Sequence, residues 1–275
     1  MHRPVPTRWF AGVATLAAAL LVATLSAAPA TAITHGDLDG DEHPYVGLMV
    51  AKDAGGNPLW RCSGTLISPT VYLTAGHCTQ APAASADIWF GSDLTDAAAI
   101  DFPTTGDAHG TTYVHPDYDP ADFVTRDVGV VVLDEPIAMP EYGALPALNE
   151  LDALAPRRGK QDTTFTAVGY GVQMMFPAAA SWKIESQRLR MVAHPRLVQL
   201  DSAGTGDYSM LLSANANTGG VCEGDSGGPN FIGTSNVVGG VTSYAKSDIC
   251  RGTGGVFRMD RSWALEWVGS FLTTP

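Results

Sequence analysis

Basic residues are scarce in this chain. Sixteen Lys and Arg stand against 28 Asp and Glu, and the net charge is −12 over 275 residues. Nucleic-acid binders need basic patches for the phosphates, so that class of partner is excluded. Cysteine is sparse too, with only Cys62, Cys78, Cys222 and Cys250. No C-x-x-C or H-x-x-H spacing supports a zinc site. Past residue 32 no apolar run is long enough to cross a bilayer. There is no internal repeat and no low-complexity segment beyond the N terminus. Six Trp and a hydrophobic fraction of 45% exclude disorder for the body of the chain.

The N terminus has its own pattern. Arg3 and Arg8 precede an apolar stretch over 9–25, and Ala30-Thr31-Ala32 supplies small residues for cleavage. This predicts a signal peptide over 1–32. A cut after Ala32 leaves 243 of the 275 residues and moves the net charge from −12 to −14. The expected location is secreted and extracellular, with no membrane association after cleavage. An even cysteine count fits two disulfides there. Three pairings are open, and the local one, Cys62–Cys78 with Cys222–Cys250, places a bridge near each motif discussed below.

Many short segments rich in Val, Ile, Thr and aromatics follow, over 45–51, 64–68, 71–74, 88–90, 128–133, 164–168, 237–244 and 255–259. Gly, Pro, Asp and Ser separate them, which predicts an all-β sandwich or barrel. Only 261–272 has a helical period, with Asp260 as its expected cap. A stretch richer in Pro and charge over 145–162 divides the chain into halves of a size for two small barrels.

Three segments carry chemistry. Gly224-Asp225-Ser226-Gly227-Gly228-Pro229 places a serine among glycines, where a tight turn can expose both a nucleophile and backbone N–H groups. A serine hydroxyl needs a base. His77, in Leu73-Thr74-Ala75-Gly76-His77-Cys78, follows a predicted strand and adjoins a cysteine. Asp127 heads the apolar strand 128–133, where a half-buried carboxylate calls for an imidazole or another partner. The serine turn also fits G-x-S-x-G, the α/β-hydrolase elbow, but that fold places its histidine after the serine. No histidine follows Ser226, so chain order excludes it.

Together these segments resemble the trypsin/chymotrypsin family of serine endopeptidases. Leu73–Cys78 matches its histidine motif, Asp127–Val131 its aspartate strand and Gly224–Pro229 its serine turn, in the family's order. Ile33–Gly36, Val114-His115-Pro116, Val168-Gly169-Tyr170-Gly171 and Thr242-Ser243-Tyr244 extend the match over most of the chain past residue 32. The resemblance implies two six-stranded antiparallel Greek-key β-barrels with a C-terminal α-helix. The first barrel would span about 33–150, the second about 160–260 and the helix about 261–272. Ser226 would be the nucleophile, His77 the base and Asp127 its orienting partner. Gly224 and Ser226 N–H groups would form the oxyanion hole, with Ser243 beside Asp127.

The family's N-terminal ion pair would join the Ile33 ammonium to Asp225, although His35 stands where glycine is usual. The substrate pocket would be formed by Gly220, Val221, Ser243, Tyr244, Ala245 and Gly255. No acid sits at the base position, Gly220, so uncharged apolar P1 side chains are expected, with Ala245 narrowing the slot toward Leu or Met size. The acidic stretch 93–107 lies where some members bind calcium, but its residues match no ligand set, and no metal or cofactor is implied. Expected partners are protein or peptide substrates and protein inhibitors, and the expected state is a monomer.

Overall fold

The computed structural model describes residues 33–156 and 160–273. The expected signal peptide lies outside the described residues. A short strand β1 (Asp37–Leu38) leads into β2 (Val46–Lys52), β3 (Pro58–Leu66), β4 (Val71–Thr74), β5 (Ser85–Trp89), β6 (Ala108–Val114) and β7 (Gly129–Leu133). The last six close into an antiparallel barrel in the order β2-β3-β4-β7-β6-β5. Every residue of β2 and β4 is buried, consistent with their apolar, β-branched composition. Closure leaves no barrel strand with an unpaired edge.

The second half contains β8 (Phe165–Gly169), β9 (Met191–Ala193), β10 (Leu197–Ser202), β11 (Gly206–Ala214), β12 (Pro229–Ile232), β13 (Val238–Ala245) and β14 (Gly252–Arg258). They form an eight-stranded antiparallel sheet ordered β1-β9-β8-β12-β13-β14-β11-β10. Its curl makes a half-barrel against the first barrel. One apolar cluster runs across both halves, from Val46, Leu48 and Tyr72 to Tyr170, Phe231 and Phe257. The N-terminal β1 pairs within the second sheet, so it straps the two halves together.

The chain ends in α2 (Ser262–Leu272), whose Ala264 and Val268 are buried. Asp260 is not its cap, which corrects the sequence-based expectation. Arg261 occupies the cap position and makes no side-chain cap bond. The Asp260 carboxylate instead binds Arg258 at 2.8 and 2.9 Å and accepts the Leu151 N–H at 2.9 Å. Arg258 also reaches Asp152 at 2.5 Å and Asp201 at 2.6 Å. The fully buried guanidinium outcompetes local capping for the carboxylate, because an unpaired buried charge is the larger cost.

Replacing Arg258 with Met should therefore destabilise the protein by about 3–5 kcal/mol, since buried Asp260 loses its cation. Urea unfolding of wild type and variant reads this directly.

Candidate active site

His77 sits on α1 (Gly76–Thr79), a single helical turn that follows β4. The next residue, Cys78, is bridged to Cys62 on β3, and Cys222 is bridged to Cys250. The Trp60 indole N–H donates to Cys78 O at 2.9 Å, which adds a second tie to the turn. Cys62, Cys78 and His77 lie within 4.8 Å of one another, but the two sulfurs are spent in the bridge and offer no thiolate to a metal.

Asp127 precedes β7 and is fully buried. Its carboxylate accepts three kinds of donor. The His77 backbone N–H lies at 2.8 Å, imidazole Nδ1 at 2.9 and 3.1 Å, and the Ser243 hydroxyl at 2.5 Å. A carboxylate can only accept, so Nδ1 carries the ring proton and Nε2 is left with its lone pair. The His77 side chain is one-quarter exposed and borders a cleft. The structure places Ser243 beside Asp127.

The segment 222–228 is held by its carbonyls. Val172 N–H donates to Glu223 O at 2.8 Å, and Ser63 N–H donates to Ser226 O at 2.8 Å. Asp225 N–H reaches Cys222 O at 3.1 Å and Gly227 N–H reaches Thr242 O at 2.7 Å. Gly224 and Gly227 have φ of +90° and +79°, a region that favours glycine. A Cβ on Gly227 would fall 2.0 Å from Thr74 Oγ1. The N–H groups of Gly224 and Ser226 have no acceptor among the described residues. Ser226 borders the same cleft as Ser243 and Tyr244. His77 makes its side-chain bonds to Asp127, and none joins it to Ser226 Oγ among the described residues. Such contacts commonly tighten only when substrate is bound.

Asp225 is 1% exposed. Its carboxylate accepts Gly171 N–H at 2.8 Å and Cys222 N–H at 2.9 Å. Burial outweighs these bonds and the nearby Arg61 charge, and pushes its pKa up from 3.8 to about 7. Ile33 is fully buried in a cluster with Ala167, Met191, Ala193 and Val221, the residue before Cys222. Thr34 pairs with Gly220, and its hydroxyl donates to Gly220 O at 3.2 Å. His35 has φ +61°, so it takes the left-handed backbone that a glycine would hold at this position more cheaply.

A cleft of about 270 Å³ is bordered by Val221, Ser226, Ser243, Tyr244 and Ala245, with Glu223 and Asp248 also on its walls. Gly220 and Gly255 are buried and do not border it. A Cβ on Gly255 would come within 2.1 Å of Tyr244 Cζ, so the phenol ring covers this glycine. A second cleft of about 300 Å³ beside His77 is bordered by Gln80, Tyr118, Pro120, Ser243 and Tyr244. The sequence reading did not single out Ser63 or Arg61, whose only local signal is their place beside Cys62.

A family model described as Trypsin matches residues 39–262. Chymotrypsin from Phaedon cochleariae is 28% identical over 239 residues, covering 82% of this chain and 76% of that protein. Trypsin from Saccharopolyspora erythraea is 28% identical over 230 residues, covering 80% and 89%. A solved structure of HL collagenase superposes with a TM-score of 0.66 at 18% identity, over 88% of this chain and 99% of that one.

The raised Asp225 pKa has a consequence for stability wherever the Ile33 nitrogen is acylated by a preceding residue. Folded Asp225 then holds a proton that the unfolded chain has already released. Stability should fall as pH rises from about 4 to about 7, by up to about 4 kcal/mol. Asp225→Asn should flatten that part of the profile, which urea unfolding across this range would measure.

Proposed function

This chain belongs to the trypsin family and is a serine endopeptidase acting on proteins or peptides, and from that premise we propose that it works through Ser226, His77 and Asp127 by way of an acyl-enzyme. The observation that carries this reading is the buried Asp127 carboxylate facing His77 Nδ1, which leaves Nε2 as base. His77 Nε2 takes the Ser226 proton as Oγ attacks the scissile carbonyl. The same proton then goes to the leaving amine. Water enters by the same route and releases the acyl group. Asp127 stabilises the imidazolium, and Ser243 helps hold Asp127. The unengaged N–H groups of Gly224 and Ser226 receive the oxyanion, each worth about 3–4 kcal/mol in comparable sites.

Residues 1–32 act as a signal peptide in this reading, and the peptidase unit is 33–275, exported as a monomer. Its halves are about 33–150 and 160–260, followed by the helix over 261–272. Cleavage before Ile33 frees an ammonium beside buried Asp225 and supplies the countercharge that the carboxylate lacks. Signal cleavage then activates the enzyme with no later zymogen step. No helix among the described residues is long and apolar enough to cross a membrane. Protein inhibitors that mimic a substrate strand fit the same cleft.

The P1 pocket takes uncharged apolar side chains. The base position of the motif holds Gly220 rather than an acid, and the two carboxylates on the cleft walls, Glu223 and Asp248, are exposed, so a buried Arg or Lys side chain would have no desolvated partner. The Tyr244 ring over Gly255 limits depth, which favours Leu or Met over Trp.

A fluorophosphonate probe should label the exported protein, and Ser226→Ala should abolish labelling. Equal labelling of both would overturn the nucleophile assignment, and an intact mass beginning elsewhere than Ile33 would overturn the activation pair. In a peptide-library cleavage profile, Leu and Met should lead at P1, and Tyr244→Ala should raise kcat/KM for Phe at P1 about tenfold relative to Leu. Best cleavage after Arg would refute the pocket reading.

A further inference from the structure

We propose that the Ser63 hydroxyl is a positioning residue for the oxyanion turn, acting through the Gly224 carbonyl. This rests on the triad reading above.

Ser63 lies on β3 in the first barrel and is fully buried. All of its polar groups are engaged. Its N–H donates to Ser226 O at 2.8 Å, and its carbonyl accepts the Thr74 hydroxyl at 2.8 Å. Its Oγ donates to Gly224 O at 2.9 Å and accepts the Tyr170 N–H, just past β8, at 3.0 Å. One side chain therefore joins the first barrel, the end of β8 and the serine turn, across 161 positions of sequence to Gly224 and 107 to Tyr170.

The turn has two hole donors, Gly224 N–H and Ser226 N–H. Each carries chemistry only if its peptide plane is fixed. The Glu223 carbonyl is fixed by Val172 N–H, which orients the peptide that bears Gly224 N–H. Gly224 itself, at φ +90°, has no side chain to restrict its ψ. The peptide after it is held on one side by the Asp225 N–H bond to Cys222 O at 3.1 Å, and the hydrogen bond from Ser63 Oγ to Gly224 O supplies the restraint on its carbonyl. The same residue's backbone N–H secures Ser226 O on the far side of Asp225. Oxyanion stabilisation depends on donors oriented before the charge develops. The effect of Ser63 should therefore appear in the transition state and hardly at all in substrate binding.

Removing the hydroxyl tests this. Ser63→Ala should lower kcat about tenfold or more with KM within about twofold of wild type. Its affinity for a peptidyl trifluoromethyl ketone, whose hemiketal oxygen occupies the hole, should fall by the same factor. Its affinity for the matching peptide alcohol, which makes no oxyanion, should not change. Unchanged kcat, or equal weakening of both inhibitors, would overturn the proposal. If Ser63→Ala does not fold, Ser63→Gly removes the hydroxyl with less packing and must show the same split. Ser63→Thr, which keeps the hydroxyl, should retain wild-type kcat within about threefold. A wild-type protein unreactive toward the fluorophosphonate would refute the triad itself. A reactive wild type beside a fully active Ser63→Ala would refute only the role of Ser63.

Discussion

A carboxylate buried in the serine turn, that of Asp225, constrains everything around it. Charge away from water is costly unless it is compensated. The fold answers with two backbone N–H groups, from Gly171 and Cys222, and with the nearby Arg61. Those partners bend the segment 222–228 so that its carbonyls point into protein and two N–H groups point out. The two N–H groups proposed as hole donors are thus left over from solving a burial problem. The compensation is incomplete in an uncut chain, where burial still raises the carboxyl to about 7. A cation arriving from the N terminus would complete it.

The functional residues come from both halves of the molecule. His77 sits on α1 just after β4 and Asp127 just before β7 in the closed barrel, while Ser243 lies on β13 and Ser226 in the turn before β12 of the curled sheet. Their registration depends on contacts that cross the seam. Ser243 reaches Asp127 across 116 positions, and Ser63 reaches Gly224 across 161. The apolar cluster shared by Tyr72, Tyr170 and Phe231 keeps the seam dry. A rigid frame with the chemistry at its junction suits a reaction that needs sub-ångström placement of groups from separate segments.

The candidate catalytic motifs stand out in the sequence because each is local. A glycine-flanked serine, a histidine beside a cysteine and an aspartate heading an apolar strand all carry their own context. The strands with strong β-branched runs, β2, β4, β7 and β13, were readable for the same reason. Strands β6, β9, β10, β11 and β12 were not. β6 alternates buried and exposed residues and includes Gly110, and β9 and β12 are only three and four residues long. Asp260 misled because a helix cap is a short-range signal, whereas its real partner Arg258 answers to Asp152 and Asp201 from distant segments. Ser63 gave no warning at all. A serine in a strand says nothing of a carbonyl on the other half of the molecule.

The two disulfides are not spread evenly over the fold. One locks the residue next to His77, and the other starts four residues before Ser226. The barrels have large apolar cores of their own, but the short segments proposed to carry the base and the nucleophile lie outside the strands and adjoin these bridges. In a thiol-rich compartment, where such bridges are opened, the core would outlast the ordering of the base and nucleophile segments. In the proposed reading, proteolytic competence would therefore depend on an oxidising environment.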